Sequence, residues 1–276
     1  MGQIDELWRY DGRRAVVTGC ASGIGAHVVR QLGELGAEVV GLDKNPPSTD
    51  VAEFHPLDLT DPTSIDRAVS SLGGQVDALF NIAGVSSGVG DPLLVVTINF
   101  LGLRHFTEAA LEKMPAGSSI VSVSSLAAAG YREHQQVVGG LLNTRTMPEG
   151  IDWCRRHPDA VADGGYRLSK EAIILYTMTN TAALGARGIR INCTGPGVTE
   201  TPILDQLRTA YGQEYLDDIP KPLGRVADPG EQAAVLVFLN SQAASYITGQ
   251  VLWVDGGNIG AAVAHELEEG RPQWPA

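Results

Sequence analysis

Short apolar runs alternate along the chain with longer segments of helical periodicity. Six runs are rich in Val, Ile or Leu and end at Gly, Ser or Asp; they span residues 15–19, 38–43, 78–84, 119–125, 189–197 and 250–257. Strands that are apolar on both faces are typical of a parallel sheet covered by helices. The intervening segments, such as 24–37 and 169–188, have helical length, and a glycine that can cap a helix lies near the end of each. The pattern predicts right-handed βαβ units and a doubly wound parallel α/β sheet, the Rossmann fold.

The strand and helix repeat continues over most of the chain, and no change of composition marks a second domain. We therefore expect a single domain over residues 1–276. One region departs from the repeat, because residues 126–165 contain no clear strand. A segment of about forty residues inside a compact domain is typically a functional insertion rather than a simple connection.

Composition narrows the function classes. The 276 residues are 43% hydrophobic, and 20 basic against 32 acidic side chains give a formal charge of -12, which disfavours binding to nucleic acid or to an anionic membrane. Neither a signal peptide nor a membrane-spanning run is visible. The three cysteines are far apart and the histidines form no ligand pattern, so we expect a cytoplasmic protein without a bound metal.

A glycine triplet follows the first predicted strand and opens the first predicted helix. In GCASGIG, residues 19–25, Gly19 permits a tight turn, Gly23 lets a phosphate approach, and Gly25 lets the helix pack on the strand. Asp43 ends the second predicted strand. Its carboxylate can accept hydrogen bonds from adenosine ribose hydroxyls and would repel a 2′-phosphate, which favours NAD over NADP. The alternative is an aspartate that only caps a turn.

Cys20 lies among these glycines without a base or metal partner visible in the sequence. We interpret it as a small packing residue whose thiol makes the loop sensitive to oxidation.

A second pattern, YRLSK, predicts acid/base chemistry. Tyr166 and Lys170 are four residues apart, so on a helix both side chains lie on one face. A free phenol titrates near pH 10, and an adjacent cation lowers that value toward neutrality. Such a tyrosine can take a proton from an alcohol or return one to a carbonyl.

Together these motifs resemble the short-chain dehydrogenase/reductase family over residues 13–257. The matching motifs are TGCASGIG at 18–25, DL at 58–59, NIAG at 81–84, Asn99 in TINF, Ser125 in VSVSS, YRLSK at 166–170 and PGVTET at 196–201. The resemblance implies an NAD-dependent oxidoreductase that moves a hydride between an alcohol and its carbonyl compound.

The resemblance also implies a role for each catalytic residue. Ser125 would polarise the substrate oxygen, Tyr166 would be the acid/base, and Lys170 would bind the nicotinamide ribose and lower the pKa of the tyrosine. Asn99 would hold a water molecule in the proton relay. Ser124 is the rival for the serine role, since adjacent residues of a strand point to opposite faces.

A larger set would bind the cofactor. By the same resemblance, with Thr199 and Thr201 holding the carboxamide, it comprises Gly19, Ser22, Gly23, Ile24, Gly25, Asp43, Asp58, Leu59, Asn81, Ala83, Gly84, Tyr166, Lys170, Pro196, Gly197, Thr199 and Thr201.

Two departures from the family pattern refine the expectation. Ser125 and Tyr166 are forty-one residues apart, far wider than is usual in the family, and Ile82 replaces a second asparagine in NIAG. A long insertion at this place, with the other motifs, resembles the branch that contains bacterial 3α-hydroxysteroid dehydrogenase/carbonyl reductases. Coniferyl-alcohol dehydrogenases are similar too. A steroid-type alcohol is the first expectation, and an aromatic alcohol is the alternative.

The family pattern implies a substrate lid at about residues 198–225. Ile203, Leu204, Leu207 and Tyr211 recur there at roughly helical spacing, which fits an apolar pocket or packing of the lid on the core. Only Arg208 and Arg225 could bind an acidic substrate. We therefore expect a hydrophobic alcohol or ketone as substrate.

Two further hypotheses concern other classes of function. A non-catalytic dinucleotide sensor would share the glycine loop and Asp43 but would not need the four catalytic residues together. The insertion could direct assembly or cover the substrate, and we expect a homo-oligomer, a dimer or a tetramer.

Overall fold

The computed structural model describes residues 2–267, which form a seven-stranded parallel sheet in the order β3-β2-β1-β4-β5-β6-β7. The strands are β1 Arg14–Thr18, β2 Glu38–Asp43, β3 Glu53–Pro56, β4 Ala78–Asn81, β5 Ser119–Val123, β6 Arg190–Pro196 and β7 Val251–Val254. The predicted doubly wound sheet is confirmed. The sequence pattern missed β3, because this edge strand is short and consists of Glu, Phe, His and Pro rather than an apolar run.

Helices cover both faces of the sheet. The α-helices are α1 Gln3–Glu6, α2 Gly23–Glu34, α3 Pro62–Ser71, α4 Pro92–Val96, α5 Leu103–Ala110, α6 Gln135–Leu142, α7 Met147–Arg156, α8 Tyr166–Thr179, α9 Thr181–Gly185, α10 Pro202–Tyr211, α11 Gln213–Asp217, α12 Pro229–Asn240 and α13 Asn258–Glu266. α2 and α12 pack on one face, whereas α3, α5 and α8 pack on the other. Side chains of each strand alternate between these two cores: in β1, Val16 enters one and Val17 the other.

Local signals set several helix starts. Asp61 caps α3 by accepting a hydrogen bond from the Thr63 amide, and a proline occupies the first position of the helix. At α12, Asp228 and Glu231 form a reciprocal capping box. These caps fix where each helix begins, and thereby the lengths of the loops that connect it to the sheet.

The predicted insertion is helical. Residues 126–165 contain a short 3₁₀ turn, then α6 and α7, then a second 3₁₀ turn before α8 begins. A Cβ atom on Gly140 would lie 2.8 Å from the ring of Trp153, so α6 and α7 touch at this glycine. α6 packs against α8. The segment is thus folded onto the body of the domain.

β1 and β4 are neighbours at the centre of the sheet. From β1 the strand order runs outward in one direction through β2 and β3, and from β4 it runs in the other direction, so the order reverses between these two strands. In open α/β sheets, a crevice forms at the carboxyl ends of strands where the order reverses. Across residues 2–267, none of the helices combines the length and apolar character needed to cross a bilayer.

Candidate active site

A cleft of about 520 Å³ lies at the carboxyl ends of the central strands. Most of the residues predicted for catalysis or cofactor binding line it, although they are widely separated in sequence. They are Gly19, Ser22, Gly23, Ile24, Gly25, Asp43, Leu59, Ala83, Gly84, Ser125, Tyr166, Lys170, Pro196, Gly197, Thr199 and Thr201.

The glycine loop is shaped by close backbone approaches. Gly19 has a φ of +74°, and a Cβ atom there would lie 2.7 Å from the backbone nitrogen of Ala83. A Cβ atom on Gly25 would overlap the carbonyl oxygen of Gly19, so the first turn of α2 can rest on the loop only with glycine. Ser22, at the N-cap of α2, makes no side-chain cap. The first amides of α2 are therefore available to an anion, which fits a diphosphate.

Asp43 lies at the end of β2, beside this loop. Its Oδ2 atom accepts a hydrogen bond from the Ala21 amide at 3.1 Å, and its Oδ1 atom accepts one from the Asn45 amide at 3.1 Å. The carboxylate therefore caps a turn, as one interpretation expected, and also lines the cleft, as the other required.

Two charged side chains near Asp43, those of Lys44 and Asp58, form an ion pair with each other. The Lys44 ammonium lies 3.1 Å from Oδ2 of Asp58. Oδ1 of Asp58 accepts hydrogen bonds from the Thr60 amide at 2.8 Å and from the Thr60 hydroxyl at 2.7 Å. Leu59 lines the cleft, whereas Asp58 lies outside its lining with its carboxylate engaged by Lys44 and Thr60; its contact with the cofactor stays a prediction.

Asn81, which is also predicted to bind the cofactor, does not line the cleft. Its side chain is buried below the cleft, where the amide donates to the hydroxyls of Thr107 at 2.9 Å and Ser122 at 3.3 Å. Thr18, which was not singled out, holds the loop above it: its hydroxyl oxygen accepts from the Ile82 amide at 3.0 Å and the Ala83 amide at 3.3 Å. Side-chain hydroxyls thus fix the cleft floor from below.

Tyr166 and Lys170 meet Ser125 in the middle of the cleft. Tyr166 is the first residue of α8, and the Lys170 ammonium lies 5.6 Å from the centre of its ring. Lys170 donates to the carbonyl of Val123 at 2.9 Å. The hydroxyl of Ser124 donates to the Lys170 carbonyl at 2.7 Å and is buried, whereas Ser125 is a hydrogen-bond partner of the Tyr166 phenol. This geometry favours Ser125 over its neighbour.

Burial dominates the titration of this pair. It raises the pKa of the Tyr166 phenol, and the hydrogen bond with Ser125 acts in the opposite direction. Burial also lowers the pKa of Lys170 to about 8. The lowering of the tyrosine pKa by Lys170 stays a prediction; here the buried ammonium donates to the Val123 carbonyl.

Asn99 lies beside this group, not in the cleft. It belongs to a π-helical turn, Thr97–Gly102, and is completely buried. Its side-chain oxygen accepts from the Val85 amide at 2.8 Å, and its amide donates to the Val85 carbonyl at 2.9 Å and to Ser169 at 3.3 Å. Because the side-chain oxygen and amide of Asn99 are both hydrogen-bonded, a water molecule of the predicted proton relay would have to bind to the backbone of this residue.

The segment 198–225 covers one end of the cleft through α10 and α11. Its lining side chains are Ile203, Leu204, Leu207, Tyr215, Leu216 and Ile219. Tyr211 does not line the cleft as the apolar spacing suggested; its ring packs 5.2 Å from that of Tyr215. Arg208 pairs with Asp205, and Arg225 with Glu231 at 2.7 Å, so neither reaches the cleft.

The charged side chains of the cleft lie at its centre and at the end beside the glycine loop. The charged residues that line the cleft are Asp43, Lys44 and Lys170. The end below α10 and α11 is lined by aliphatic side chains with the hydroxyls of Ser87 and Tyr215. This end suits an uncharged, largely apolar molecule.

Cys20 is a packing residue. It is fully buried, and a Cβ atom on Gly41 would lie 2.8 Å from its sulfur. Burial, with a smaller effect of Asp43, raises the pKa of its thiol to about 12. A buried thiol that stays protonated reacts poorly with oxidants, so burial disfavours the predicted sensitivity of the loop to oxidation, which stays a prediction. Residues 2–267 contain no cluster of His, Cys, Asp or Glu suited to a metal ion.

Family models match the chain in two parts. Residues 15–150 match the model described as NAD dependent epimerase/dehydratase family, and residues 159–258 match the one described as enoyl-(acyl carrier protein) reductase. Both matches cover parts of the cleft described above.

Known proteins resemble the chain over almost their whole lengths. A coniferyl-alcohol dehydrogenase from a Pseudomonas species is 39% identical, over 89% of this chain and 96% of that protein. A 3-alpha-hydroxysteroid dehydrogenase/carbonyl reductase from Comamonas testosteroni is 29% identical, over 88% and 95%. Among solved structures, a 3-alpha-hydroxysteroid dehydrogenase from a Pseudomonas species, in complex with NADH, superposes with a TM-score of 0.77 at 29% identity, over 94% of this chain and all of that one.

The contact between Cys20 and Gly41 predicts non-additive stability effects. Gly41→Ala should lower the free energy of unfolding by about 1–3 kcal/mol, because the new methyl group overpacks the thiol. In Gly41→Ala/Cys20→Ala the loss should be smaller than the sum of the single losses, since the shorter side chain makes room. Urea unfolding of the three variants measures this, and additive effects would contradict the packing role.

The lowered pKa of Lys170 predicts a pH-dependent stability. Between about pH 8 and its ordinary value of 10.5, the unfolded chain binds a proton here that the folded chain does not, so stability rises with pH in this window. The free energy of unfolding of the wild type should therefore increase relative to that of Lys170→Met as the pH rises from 8 to 10. Urea unfolding at several pH values measures the difference, which would stay constant if Lys170 titrated normally.

Proposed function

Because the chain belongs to the short-chain dehydrogenase/reductase family and is an oxidoreductase acting on alcohols, we propose that it interconverts a hydrophobic alcohol and its carbonyl compound with NAD. The observation that carries this proposal is the meeting of Ser125, Tyr166 and Lys170 at the centre of a cleft. The glycine loop lies at one end of this cleft, and an apolar lid lies at the other.

The residues of the cofactor end fit a dinucleotide. The loop around Gly19 and Gly25 would hold the diphosphate, and Asp43 would accept hydrogen bonds from the adenosine ribose. The backbone near Thr199 and the side chain of Thr201 would face the nicotinamide carboxamide. When bound, the nicotinamide ring accepts a hydride from the alcohol carbon or returns one to the carbonyl carbon.

Side chains of the protein transfer the proton of the substrate hydroxyl. Ser125 donates a hydrogen bond to the substrate oxygen and orients it toward the phenol of Tyr166. Tyr166, as phenolate, takes the hydroxyl proton during oxidation and, as phenol, gives it back during reduction. Lys170 places a positive charge beside the phenol, and its held position at the Val123 carbonyl keeps that charge in the site.

NAD is proposed rather than NADP on the basis of Asp43. Its two oxygens accept from loop amides at 3.1 Å each, which keeps the carboxylate fixed at the cleft. A 2′-phosphate would meet this negative charge directly. Lys44, which could bind such a phosphate, is held only by a partly exposed ion pair with Asp58, so the proposed preference rests on Asp43.

The substrate is proposed to be uncharged and hydrophobic, because the lid end of the cleft is aliphatic. A steroid and a coniferyl-type aromatic alcohol both meet this description. The higher identity to the coniferyl-alcohol dehydrogenase, 39% against 29%, favours the aromatic alcohol, whereas the superposition on a 3-alpha-hydroxysteroid dehydrogenase supports the steroid.

Assembly as a homo-oligomer and a cytoplasmic location remain part of the proposal. Assembly is supported by the exposed edge strand β7 and by α13, where Leu252, Val263 and Leu267 are between 41% and 49% exposed; the cytoplasmic location rests on the sequence alone.

The proposed reaction predicts a defined loss in Tyr166→Phe. NADH formation with NAD and a panel of coniferyl alcohol, 3α-hydroxysteroids and simple secondary alcohols should be seen in the wild type. In the variant, kcat should fall at least about 100-fold, since general acid/base catalysis contributes that much. Binding of NADH, followed by its fluorescence, should change little. A wild type that binds NADH but oxidises none of the panel would support the dinucleotide sensor instead.

The role of Asp43 predicts a shift in cofactor preference. Asp43→Asn should raise KM for NAD, because the amide replaces one acceptor oxygen with a donor, and should lower KM for NADP by removing the repulsive charge. The ratio of kcat/KM for NAD to that for NADP should fall at least about tenfold, equivalent to 1.4 kcal/mol. An unchanged ratio, or a wild type that prefers NADP, would refute the assignment.

A further inference from the structure

A buried carboxylate next to the catalytic lysine has no part in the reaction described above. The side chain of Glu171 is 0% exposed, and it directly follows Lys170 in α8. Its Oε1 atom lies 2.6 Å from Nδ1 of His134, and its Oε2 atom accepts from Arg167 at 3.1 Å. An ionised carboxylate only accepts hydrogen bonds, so this contact requires a proton on Nδ1 of His134; Nη1 of Arg167 also lies 3.1 Å from the same nitrogen.

These groups join two parts of the chain. Arg167 also donates to Asp163 at 2.7 Å; Asp163 precedes α8, whereas Arg167 and Glu171 are four residues apart within the helix and share one of its faces. His134 comes from the segment 126–165, at the start of α6. We call His134, Asp163, Arg167 and Glu171 the Glu171 cluster. It connects the segment 126–165 to the helix that carries the catalytic tyrosine and lysine.

Burial of the Glu171 carboxylate fixes the positions of its hydrogen-bond partners. Removing a carboxylate from water is unfavourable unless donors surround it, so Glu171 is stable only while both of its partners stay in place. A shift of α6 along α8 would separate His134 from Glu171 and leave one oxygen unpaired. The cluster therefore resists sliding of the two helices, which apolar packing alone resists less.

The same segment also contacts the turn that carries Asn99. A Cβ atom on Gly150 of α7 would overlap the side chain of Leu101, so α7 lies directly against the π-helical turn. Arg104, at the start of α5, donates to the carbonyl of Thr144 at 2.7 Å. Residues 126–165 thus touch both elements on which the catalytic residues lie.

We propose that Glu171 is a positioning residue: with His134 and Arg167, it holds the segment 126–165 against α8 and thereby keeps Tyr166 and Lys170 in place for proton transfer. This inference rests on the proposed alcohol oxidation. The partners of the cluster flank the catalytic residues directly, since Arg167 follows Tyr166 and Glu171 follows Lys170. A displacement of about 1 Å at a reacting group can cost about 100-fold in rate.

The test is Glu171→Gln, which keeps the shape of the side chain and removes its charge. With the best alcohol of the panel, kcat should fall at least about tenfold, whereas the Kd for NADH should change much less, because all of the proposed cofactor-binding residues except Tyr166 and Lys170 lie outside α8. Asp152→Asn is the matched control. Asp152 pairs with Arg155 at 3.0 Å within the same segment, both side chains are more than 60% exposed, and its kcat should not change.

Variants of His134 separate positioning from general stability. His134→Leu removes the donor and should lower kcat as Glu171→Gln does, while the folded fraction at assay temperature, measured by circular dichroism, stays that of the wild type. His134→Asn, whose amide can donate from nearly the same place, should retain at least half of the wild-type kcat. If Glu171→Gln does not fold, this pair of variants carries the test.

Hydrogen exchange gives a readout that does not need turnover. Amides of residues 135–142 and 166–171 should exchange at least about tenfold faster in Glu171→Gln and in His134→Leu than in Asp152→Asn. Unchanged exchange, an unchanged kcat, or a loss of kcat that only parallels unfolding would each overturn the proposal. A wild type without alcohol dehydrogenase activity would overturn the proposed function and the positioning of catalytic groups, while the exchange data would still decide whether the cluster holds the two helices together.

Discussion

The cleft depends on one constraint, the close passage of the loop after β1 beneath the end of β4. At this crossing the backbone of Gly19 lies so near the Ala83 nitrogen that no side chain fits between them. Gly25 lets α2 descend onto the same loop, and Thr18 joins the two strand ends through its hydroxyl. Because the crossing fixes where α2 begins and where the chain leaves β4, the positions of the first amides of α2 and of the centre of the cleft follow from it.

Much of this could be predicted from the chain alone. Strands buried on both faces have an unmistakable composition, and glycines required by backbone contact leave a fixed spacing, as at residues 19, 23 and 25. β3 was missed because an edge strand need not be apolar. The local partners of Asn81 and Asp58 could not be predicted from the sequence, since a polar side chain bonds to whichever group the folded chain brings near, here Thr107 and Thr60.

The segment 126–165 shows a different limit of sequence reasoning. Its length indicated an insertion, but the choice between a separate projection and a packed helical pair depends on tertiary contacts. Glycines at 140 and 150 make room for Trp153 and Leu101, and each has meaning only when its distant neighbour is known. A buried carboxylate such as Glu171 is equally invisible in sequence, because the pattern of a surface helix contains the same spacing of charges.

The ion pair between Lys44 and Asp58 has a consequence for the evolution of cofactor choice. Both side chains are partly exposed, at 57% and 39%, and such pairs contribute about 1 kcal/mol or less. A phosphate dianion could displace Asp58 from the lysine at small cost, so the proposed preference for NAD would depend almost wholly on Asp43. A lineage that lost this one carboxylate would already possess the cation that a phosphorylated cofactor requires. Descendants using either nucleotide are therefore separated by a very short mutational path.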